Sequence, residues 1–228
     1  MKLLSIDIGI KHLAHCLLDT ETLAILNWDV VDLTEQLCAC GEKATLRIGE
    51  NPLCKRHSIH SKKTLLQCIG LCTQTKLSLG TVEQMQKTLS KHTKKLEVPS
   101  AYMLSQSIMK NYDALGKVDK VLVENQIGPL ASKMKMVQGM VIQYWTMRGA
   151  DVECISACNK LKLFVSGKTT YAERKKLSIQ YAKEVLELNE MTTDVFTHHK
   201  KKDDLADTFL QAVWYLHTNC GILKIKRS

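Results

Sequence analysis

The sequence has few aromatic residues and no long apolar run. Phe, Trp and Tyr make up only 5% of its 228 residues, so a base-stacking surface for single-stranded nucleic acid is poorly supported. No apolar stretch approaches the roughly 20 residues that a membrane-spanning helix needs. Met1 leads directly into the apolar segment LLSIDIGI, which leaves no room for a signal peptide. We therefore expect no contact with a membrane.

Acidic residues are also in deficit. The chain has 23 Asp and Glu against 32 Lys and Arg, which gives a formal net charge of +9. This balance favours a polyanionic partner such as nucleic acid, although composition alone does not separate DNA from RNA or an anionic membrane. The nine cysteines are an odd number, and without a signal peptide they favour reduced thiols or metal ligands over disulfides. We expect an intracellular protein in a reducing compartment.

The order of apolar segments predicts an α/β fold with a mixed sheet. Three short runs, at residues 2–8, 12–18 and 23–31, are separated by charged, turn-prone pieces and predict a meander of three strands. Helical and strand patterns alternate after residue 100, as in sheets flanked by helices. Helices are predicted at 101–115, from Pro129 to about 148, at 171–188 and at 203–217, strands at 118–125 and 151–155, amphipathic helices within 64–97, and a polar loop before residue 203.

Residues 36–62 interrupt this pattern and predict a small inserted segment that resembles a zinc knuckle. They are rich in Cys, His, Gly and Lys and show little periodicity, so the segment needs something other than a core to hold it. Gly41 permits a tight turn there. Four side chains in a CxC and CxxH arrangement suit a structural Zn²⁺ in tetrahedral coordination, with incidental reduced thiols as the alternative. These candidate ligands are Cys38, Cys40, Cys54 and His57.

The remaining basic residues of the insertion and the remaining cysteines have simpler interpretations. The basic residues of the insertion are candidates for contacts with nucleic acid, and they are Lys55, Arg56, Lys62 and Lys63. The remaining cysteine pairs have helical-turn spacing without further ligands nearby, so we interpret them as buried thiols. These pairs are Cys68 with Cys72 and Cys154 with Cys158.

Acidic residues occupy unusual places in the predicted elements. Asp7 interrupts an apolar strand and Glu124 ends another, although a buried unpaired carboxylate is costly. Asp204 and Asp207 lie one turn apart on the last helix, where they repel each other unless a cation lies between them. Turn or cap roles for the strand acids, and a helix-dipole role for the helix acids, are the alternatives. Together the four carboxylates suit Mg²⁺ or Mn²⁺, and a pair of such ions can drive phosphodiester hydrolysis.

Three segments carry a family resemblance. IDIGIK, VLVENQ and KKDDLAD, in this order, resemble the signature blocks of RuvC-like Holliday junction resolvases, in the branch of fungal mitochondria and large DNA viruses. The resemblance covers most of the chain outside residues 36–97. It implies an RNase H-like mixed β-sheet flanked by helices. It also implies a metal-dependent endonuclease that makes symmetric paired nicks in four-way DNA junctions.

The resemblance further implies roles for individual residues. Asp7, Glu124, Asp204 and Asp207 match the catalytic carboxylates, which would hold two Mg²⁺ or Mn²⁺ ions. For the neighbouring Asp203 we favour a helix cap over metal binding. Basic residues expected to contact DNA phosphates, each with a solvated surface charge as the alternative, are Lys133, Lys135, Lys160, Lys200, Lys201 and Lys202.

Partners and alternatives follow from the same resemblance. Paired nicks in a junction of approximate two-fold symmetry imply a homodimer. The sequence does not distinguish the nucleus from a cytoplasmic site of viral replication. A related nuclease acting on flaps or RNA–DNA hybrids, and a non-catalytic DNA-binding protein, remain open. An actin-like nucleotide-binding protein is disfavoured because a second Gly-rich DxG half is missing.

Overall fold

A computed structural model describes residues 1–36, 38–48, 51–58, 93–95, 99–128, 132–167, 169–191, 194–223 and 225. The chain divides into two compact units. The main unit consists of Met1–Leu33 and Ser100–Ser228, and the inserted unit is Thr34–Pro99.

Eight strands and five α-helices are present in the described residues. The strands are β1 (Lys2–Asp7), β2 (Leu13–Asp19), β3 (Ile25–Val31), β4 (Leu46–Ile48), β5 (Asn51–Leu53), β6 (Thr93–Lys95), β7 (Lys120–Glu124) and β8 (Asp151–Ile155). The helices are α1 (Ala101–Asp113), α2 (Ser132–Met147), α3 (Tyr171–Leu188), α4 (Asp194–His198) and α5 (Lys202–Tyr215). A 3-10 helix occupies Ala157–Leu161, and a π-helical turn, Leu216–Cys220, follows α5.

The main unit is built on a five-stranded mixed sheet in the order β3-β2-β1-β7-β8. The first three strands form the predicted antiparallel meander, whereas β1 with β7 and β7 with β8 pair in parallel. This arrangement confirms the predicted fold class. The parallel pairs bring the C-terminal ends of β1 and β7 to the same edge of the sheet, and both strands end in an acidic residue.

Helices cover both faces of this sheet. On one face, α3 and α5 pack over apolar side chains such as Leu3 and Leu122. On the other face, α1 and α2 pack over Leu4 and Val121. Because side chains alternate between the faces of a strand, Asp7 and Glu124 share the face of Leu3 and Leu122. They therefore point to the side that carries α3 and α5.

Several predicted elements need correction. Within 64–97, Thr93–Lys95 form a strand, so a helix is wrong there, and the rest of that prediction lies outside the described residues. The predicted polar loop before residue 203 contains α4, whose apolar residue Phe196 is buried against the core. Cys154 and Cys158 are exposed, because Cys154 lies on an edge strand and Cys158 on the exposed 3-10 helix. Pro129, Cys68, Cys72, Lys62 and Lys63 lie outside the described residues.

The inserted unit contains a small antiparallel sheet in the order β5-β4-β6. Residues 55–58 form one helical turn directly after Cys54. Gly41 adopts a φ of +85°, which an L side chain rarely takes, and it confirms the predicted tight turn. No helix among the described residues of the chain has the length and apolar character needed to cross a membrane.

Candidate active site and metal centre

Asp7 and Glu124 are brought together by the register of two parallel strands. Ser5 pairs with Leu122 and Ile6 pairs with Val123, so the next residues along β1 and β7 lie side by side on one face. Their side chains are mostly buried, with exposed fractions of 22% for Asp7 and 14% for Glu124. The two strand-borne acids of the sequence thus form one acidic pair at the C-terminal ends of β1 and β7.

Asp207 joins this pair from α5, and Asp204 lines the same cavity one turn earlier. Helix α5 is held against the sheet by Gln211, whose Nε2 donates hydrogen bonds to the carbonyl oxygens of Ile6 and Leu122, both at 3.3 Å. These bonds link the helix to both strands, one residue before Asp7 and two residues before Glu124. The four acids predicted from the sequence therefore line a single cavity of about 1060 Å³.

The ammonium group of Lys160 lies at the centre of the acidic cluster. Its Nζ donates hydrogen bonds to Asp207 Oδ2 (2.7 Å) and Glu124 Oε2 (2.9 Å), and lies 3.9 Å from Asp7 Oδ2. The sequence predicted Lys160 as a contact to DNA phosphate. The structure places it on the 3-10 helix after β8 among the carboxylates, and a contact with DNA stays a prediction. No local pattern marked this position, because Lys160 is separated from Glu124 by 36 residues.

The pKa values show how unusual this environment is. Burial raises the pKa of Asp7 well above its ordinary value even though Lys160 acts in the opposite direction, and Glu124 and Asp207 raise it further. Burial alone would lower the pKa of Lys160, but the three carboxylates around it raise that pKa above its ordinary value. Burial and the neighbouring Asp203 likewise raise the pKa of Asp204. Such a concentration of perturbed groups in one cavity is typical of a functional site.

The carboxylates form a donor set suited to a hard divalent cation. Oxygen ligands from Asp and Glu are those that Mg²⁺ and Mn²⁺ prefer. Three carboxylates already converge on one positively charged nitrogen, so the cluster attracts positive charge at this position. The side chains present therefore fit the predicted metal site.

Asp203 has a role that the sequence did not predict. We favoured a helix cap, but the N-cap position of α5 is Lys201 and makes no side-chain capping bond. The Asp203 carboxylate instead forms an ion pair with Lys175 of α3. Lys175 lowers the pKa of Asp203, although burial acts to raise it. Asp203 thus joins α3 to the start of α5, where Asp204 and Asp207 are located.

The other predicted DNA-binding lysines are spread over the main unit. Lys133 and Lys135 are exposed on the first turns of α2, and Lys200 is exposed just before α5, with Lys201 and Lys202 partly buried beside it. Among the described residues, three further basic side chains line the carboxylate cavity: Lys162, Arg174 and Lys175.

In the inserted unit, the four predicted zinc ligands converge. Their ligand atoms all lie within 4.8 Å of one another. The Sγ atoms of Cys40 and Cys54 are 3.9 Å apart, and His57 Nδ1 lies 3.2 Å from Cys38 Sγ and 3.6 Å from Cys54 Sγ. Zinc–sulfur bonds of about 2.3 Å in a tetrahedron imply sulfur–sulfur separations of about 3.8 Å. The group has the spacing of a tetrahedral zinc site.

The electrostatics at Cys38 favour a metal ligand. Hydrogen bonds from the backbone of Cys40 and of Cys54, and then His57, lower the pKa of the Cys38 thiol to about 6. The thiolate is the form of cysteine that binds metal.

The fold of the chain is similar to those of solved Holliday junction resolvases. The fowlpox virus Holliday junction resolvase is 14% identical, with a TM-score of 0.53 over 96% of this chain and 99% of that one. The fowlpox resolvase in complex with its substrate Holliday junction DNA gives 15% identity and a TM-score of 0.52, with the same coverage. The RuvC structure of Thermus thermophilus gives 15% and 0.50, over 98% and 99% of the two chains. These likenesses establish an RNase H-like fold.

The sequence comparison identifies the family. The chain belongs to the Poxvirus A22 protein family, whose model matches residues 92–219. This match includes Glu124, Lys160, Asp204 and Asp207, and it excludes the four candidate zinc ligands. A relative in Acanthamoeba polyphaga mimivirus, the uncharacterized protein L451, is 27% identical over 204 residues, which cover 78% of this chain and 46% of that protein. The chain thus spans about half the length of this relative.

Proposed function

We propose that the protein is a Holliday junction resolvase, an endonuclease that hydrolyses phosphodiester bonds in four-way DNA junctions with divalent metal ions. The observation that carries this proposal is the convergence of Asp7, Glu124 and Asp207 on the ammonium group of Lys160. Asp204 lines the same cavity. Membership of the Poxvirus A22 family supports it, as does a fold shared with a fowlpox resolvase that binds junction DNA.

The four carboxylates would hold Mg²⁺ or Mn²⁺, with two ions in each active site. When bound, such ions activate water and stabilise the departing oxygen of a phosphodiester. The residues of the chain supply the frame for this chemistry. Asp7 and Glu124 are fixed by the strand register, and α5 is fixed over them by Gln211. Lys162 and Arg174 line the same cavity and would bind the DNA backbone beside the scissile bond.

The proposal is tested with a panel of labelled four-way junction, flap, RNA–DNA hybrid and duplex DNA, with and without Mg²⁺. We expect the protein to cut the four-way junction in preference to the other substrates and to leave symmetric nicks. Glu124→Gln and Asp204→Asn should abolish cleavage and leave junction binding largely intact, since each removes only a metal-binding charge. Glu187→Gln, an exposed position on α3, serves as the matched control.

Each outcome of this panel discriminates between functions. Preferential cutting of hybrids or flaps would assign the site to another RNase H-like nuclease. Binding of the junction without any cleavage would indicate a DNA-binding protein. Cleavage retained by both acid variants would show that the carboxylate assignment is wrong.

We also propose that the active form is a homodimer, because paired nicks require two active sites. Helices α1 and α2 pack side by side on the sheet face opposite the carboxylates. They expose several large apolar side chains, namely Tyr102, Met103 and Met109 on α1 and Met136 and Met147 on α2. A second copy docked there would leave both cavities open to DNA. Met109→Lys with Met136→Lys should give a monomer in light scattering. A variant that remains a dimer would show that the interface does not lie on α1 and α2.

For the inserted unit, we propose a structural Zn²⁺ held by Cys38, Cys40, Cys54 and His57. Four protein ligands leave no open coordination position, which is typical of structural rather than catalytic zinc. None of these ligands is one of the four carboxylates, so this zinc would have a donor set of its own.

A further inference from the structure

Positive charge is concentrated in the inserted unit. Residues 34–99 contain eleven Lys and Arg against five Asp and Glu, whereas the rest of the chain has 21 against 18. Three thiolates and one Zn²⁺ add a single negative charge, so the unit stays strongly basic with its metal bound. Most of the excess charge that attracts a polyanion therefore lies outside the unit that carries the carboxylates.

Two exposed cations of this unit lie on a helical turn. Lys55 and Arg56 are exposed neighbours on the helical turn at 55–58. This turn follows the candidate ligand Cys54 and contains the candidate ligand His57, and it is closed by a 2.8 Å hydrogen bond from Ser58 N to Cys54 O. Cys54 and Ser58 are buried. Metal binding at Cys54 and His57 would therefore fix the backbone that presents both basic side chains.

Neither of these side chains has its charge compensated within the described part of the chain. Lys43 of the same unit lies 3.3 Å from Glu35 in an ion pair. Lys55 and Arg56 form no ion pair with any residue that the structure describes. Both charges are therefore available to a ligand, and the planar guanidinium of arginine matches the geometry of a phosphate group.

We propose that the inserted unit is a second DNA-binding site, in which Lys55 and Arg56 bind backbone phosphates of a duplex arm. This inference rests on the proposed resolvase function, since it takes the junction as the ligand. The carboxylate cluster itself repels phosphate, so affinity for DNA comes from cations, and the inserted unit holds most of the excess positive charge of the chain. The family match begins at residue 92, so the site belongs to a segment that the family model does not cover.

The test measures junction affinity as a function of salt in a Glu124→Gln background, where cleavage is absent. Fluorescence anisotropy with a labelled junction is recorded between 50 and 250 mM KCl. Each phosphate contact contributes about 0.9 to the slope of log affinity against log salt. For each protomer bound to the junction, Lys55→Gln with Arg56→Gln should reduce the slope by about 1.8 and weaken binding roughly 30-fold at 0.15 M salt.

Three controls define the result. Lys117→Gln with Lys183→Gln removes two exposed charges from the main unit and should have little effect. Lys55→Arg with Arg56→Lys keeps both charges and should retain most of the affinity. Zinc content, measured with a colorimetric chelator, should stay at one ion per chain in all variants. If the double variant loses zinc, the two single Gln variants replace it, each with about half the change in slope.

The outcome separates this inference from the proposed function. A double variant whose slope and affinity match those of the Lys117 and Lys183 control would overturn the second DNA-binding site. A wild-type protein that neither binds nor cuts junctions would instead overturn the resolvase proposal itself.

Discussion

Lys160 holds together an arrangement of three carboxylates that would otherwise repel one another. Its Nζ lies between 2.7 and 3.9 Å from Asp207, Glu124 and Asp7. A divalent cation bound by the same oxygens would compete with this ammonium group for the same charges. At the residue scale, Lys160 would thus set part of the metal affinity that we propose for this cavity.

Replacement of Lys160 by Met should therefore strengthen metal binding. The apparent dissociation constant for Mn²⁺ should fall roughly tenfold, because a charge pair at this distance is worth about 1 kcal/mol or more even in water. The metal-free variant should also melt at a lower temperature, with a larger rise on addition of metal. Calorimetric titration and thermal melts would measure both effects, with the exposed Lys183→Met as control. Equal Mn²⁺ affinity in Lys160→Met and wild type would contradict this competition.

His15 is a buried titratable residue away from the site. Its Nε2 is 2.6 Å from Asn27 Oδ1, and its ring packs edge-on against Tyr112. Burial lowers the pKa of His15, although Asn27 and Asp29 act to raise it. The folded state therefore binds fewer protons than the unfolded state. The contribution of neutral His15 to stability is fully present above the unfolded pKa of about 6.5 and is lost as the pH falls below it.

His15→Gln should accordingly flatten the dependence of stability on pH between about 7.5 and 5. The difference in urea midpoint between these two pH values is the quantity to compare. The exposed His198→Gln should keep the wild-type dependence. An unchanged dependence in His15→Gln would assign the acid sensitivity to other groups.

At the scale of elements, the position of α5 depends on contacts from distant parts of the chain. Trp28 of β3 donates a hydrogen bond from Nε1 to the carbonyl oxygen of Leu205 (3.0 Å). The Trp28 ring also stacks on Phe196 of α4, with centroids 5.1 Å apart. These contacts support the first turn of α5, which carries Asp204 and leads into the turn that carries Asp207.

Phe196→Ala should test this support. Phe196 is 1% exposed, and the loss of a buried phenylalanine typically costs about 3–5 kcal/mol. We expect a loss of this order in urea unfolding, together with slower junction cleavage because the first turn of α5 loses its support. Val195→Ala, at an exposed neighbour, should change stability by less than about 0.5 kcal/mol. If Phe196→Ala is destabilised but cleaves at the wild-type rate, α4 does not position the acids of α5.

On the scale of the whole molecule, the described residues of the two units differ in how much apolar surface they bury. The main unit has an apolar cluster on each face of its sheet. Among the described residues of the inserted unit, the buried apolar side chains are only Cys38, Ala44 and Cys54. Two of these three are candidate zinc ligands, so the inserted unit is expected to depend on its metal.

Removal of zinc should therefore unfold one unit and spare the other. A zinc-selective chelator, or Cys40→Ser, should make residues 34–99 sensitive to limited proteolysis while the main unit keeps its thermal transition. Mass spectrometry of the fragments would locate the cuts. Cys220→Ser, at an exposed cysteine outside the cluster, is the matched control. Identical digestion with and without chelator would argue against a structural zinc.

The sequence by itself predicted the elements of the main unit and the pattern of its acids. Alternation of polar and apolar residues is a local property, so β1 to β3, β7, β8 and helices α1, α3 and α5 could be recognised without tertiary information. The three acidic segments and their order along the chain can also be read directly from the sequence. The CxC and CxxH spacing likewise marked the four residues that converge in the inserted unit.

Only the tertiary structure decided which distant residues share an environment. The placement of Lys160 among the carboxylates, the pairing of Asp203 with Lys175 and the burial of α4 all join segments far apart in the chain. The pairing of β6 with β4 and the exposure of Cys154 and Cys158 depend on where each segment lies in the fold. Strand register and the packing of α5 on the sheet fix these positions, and neither leaves a periodic signal in the local sequence.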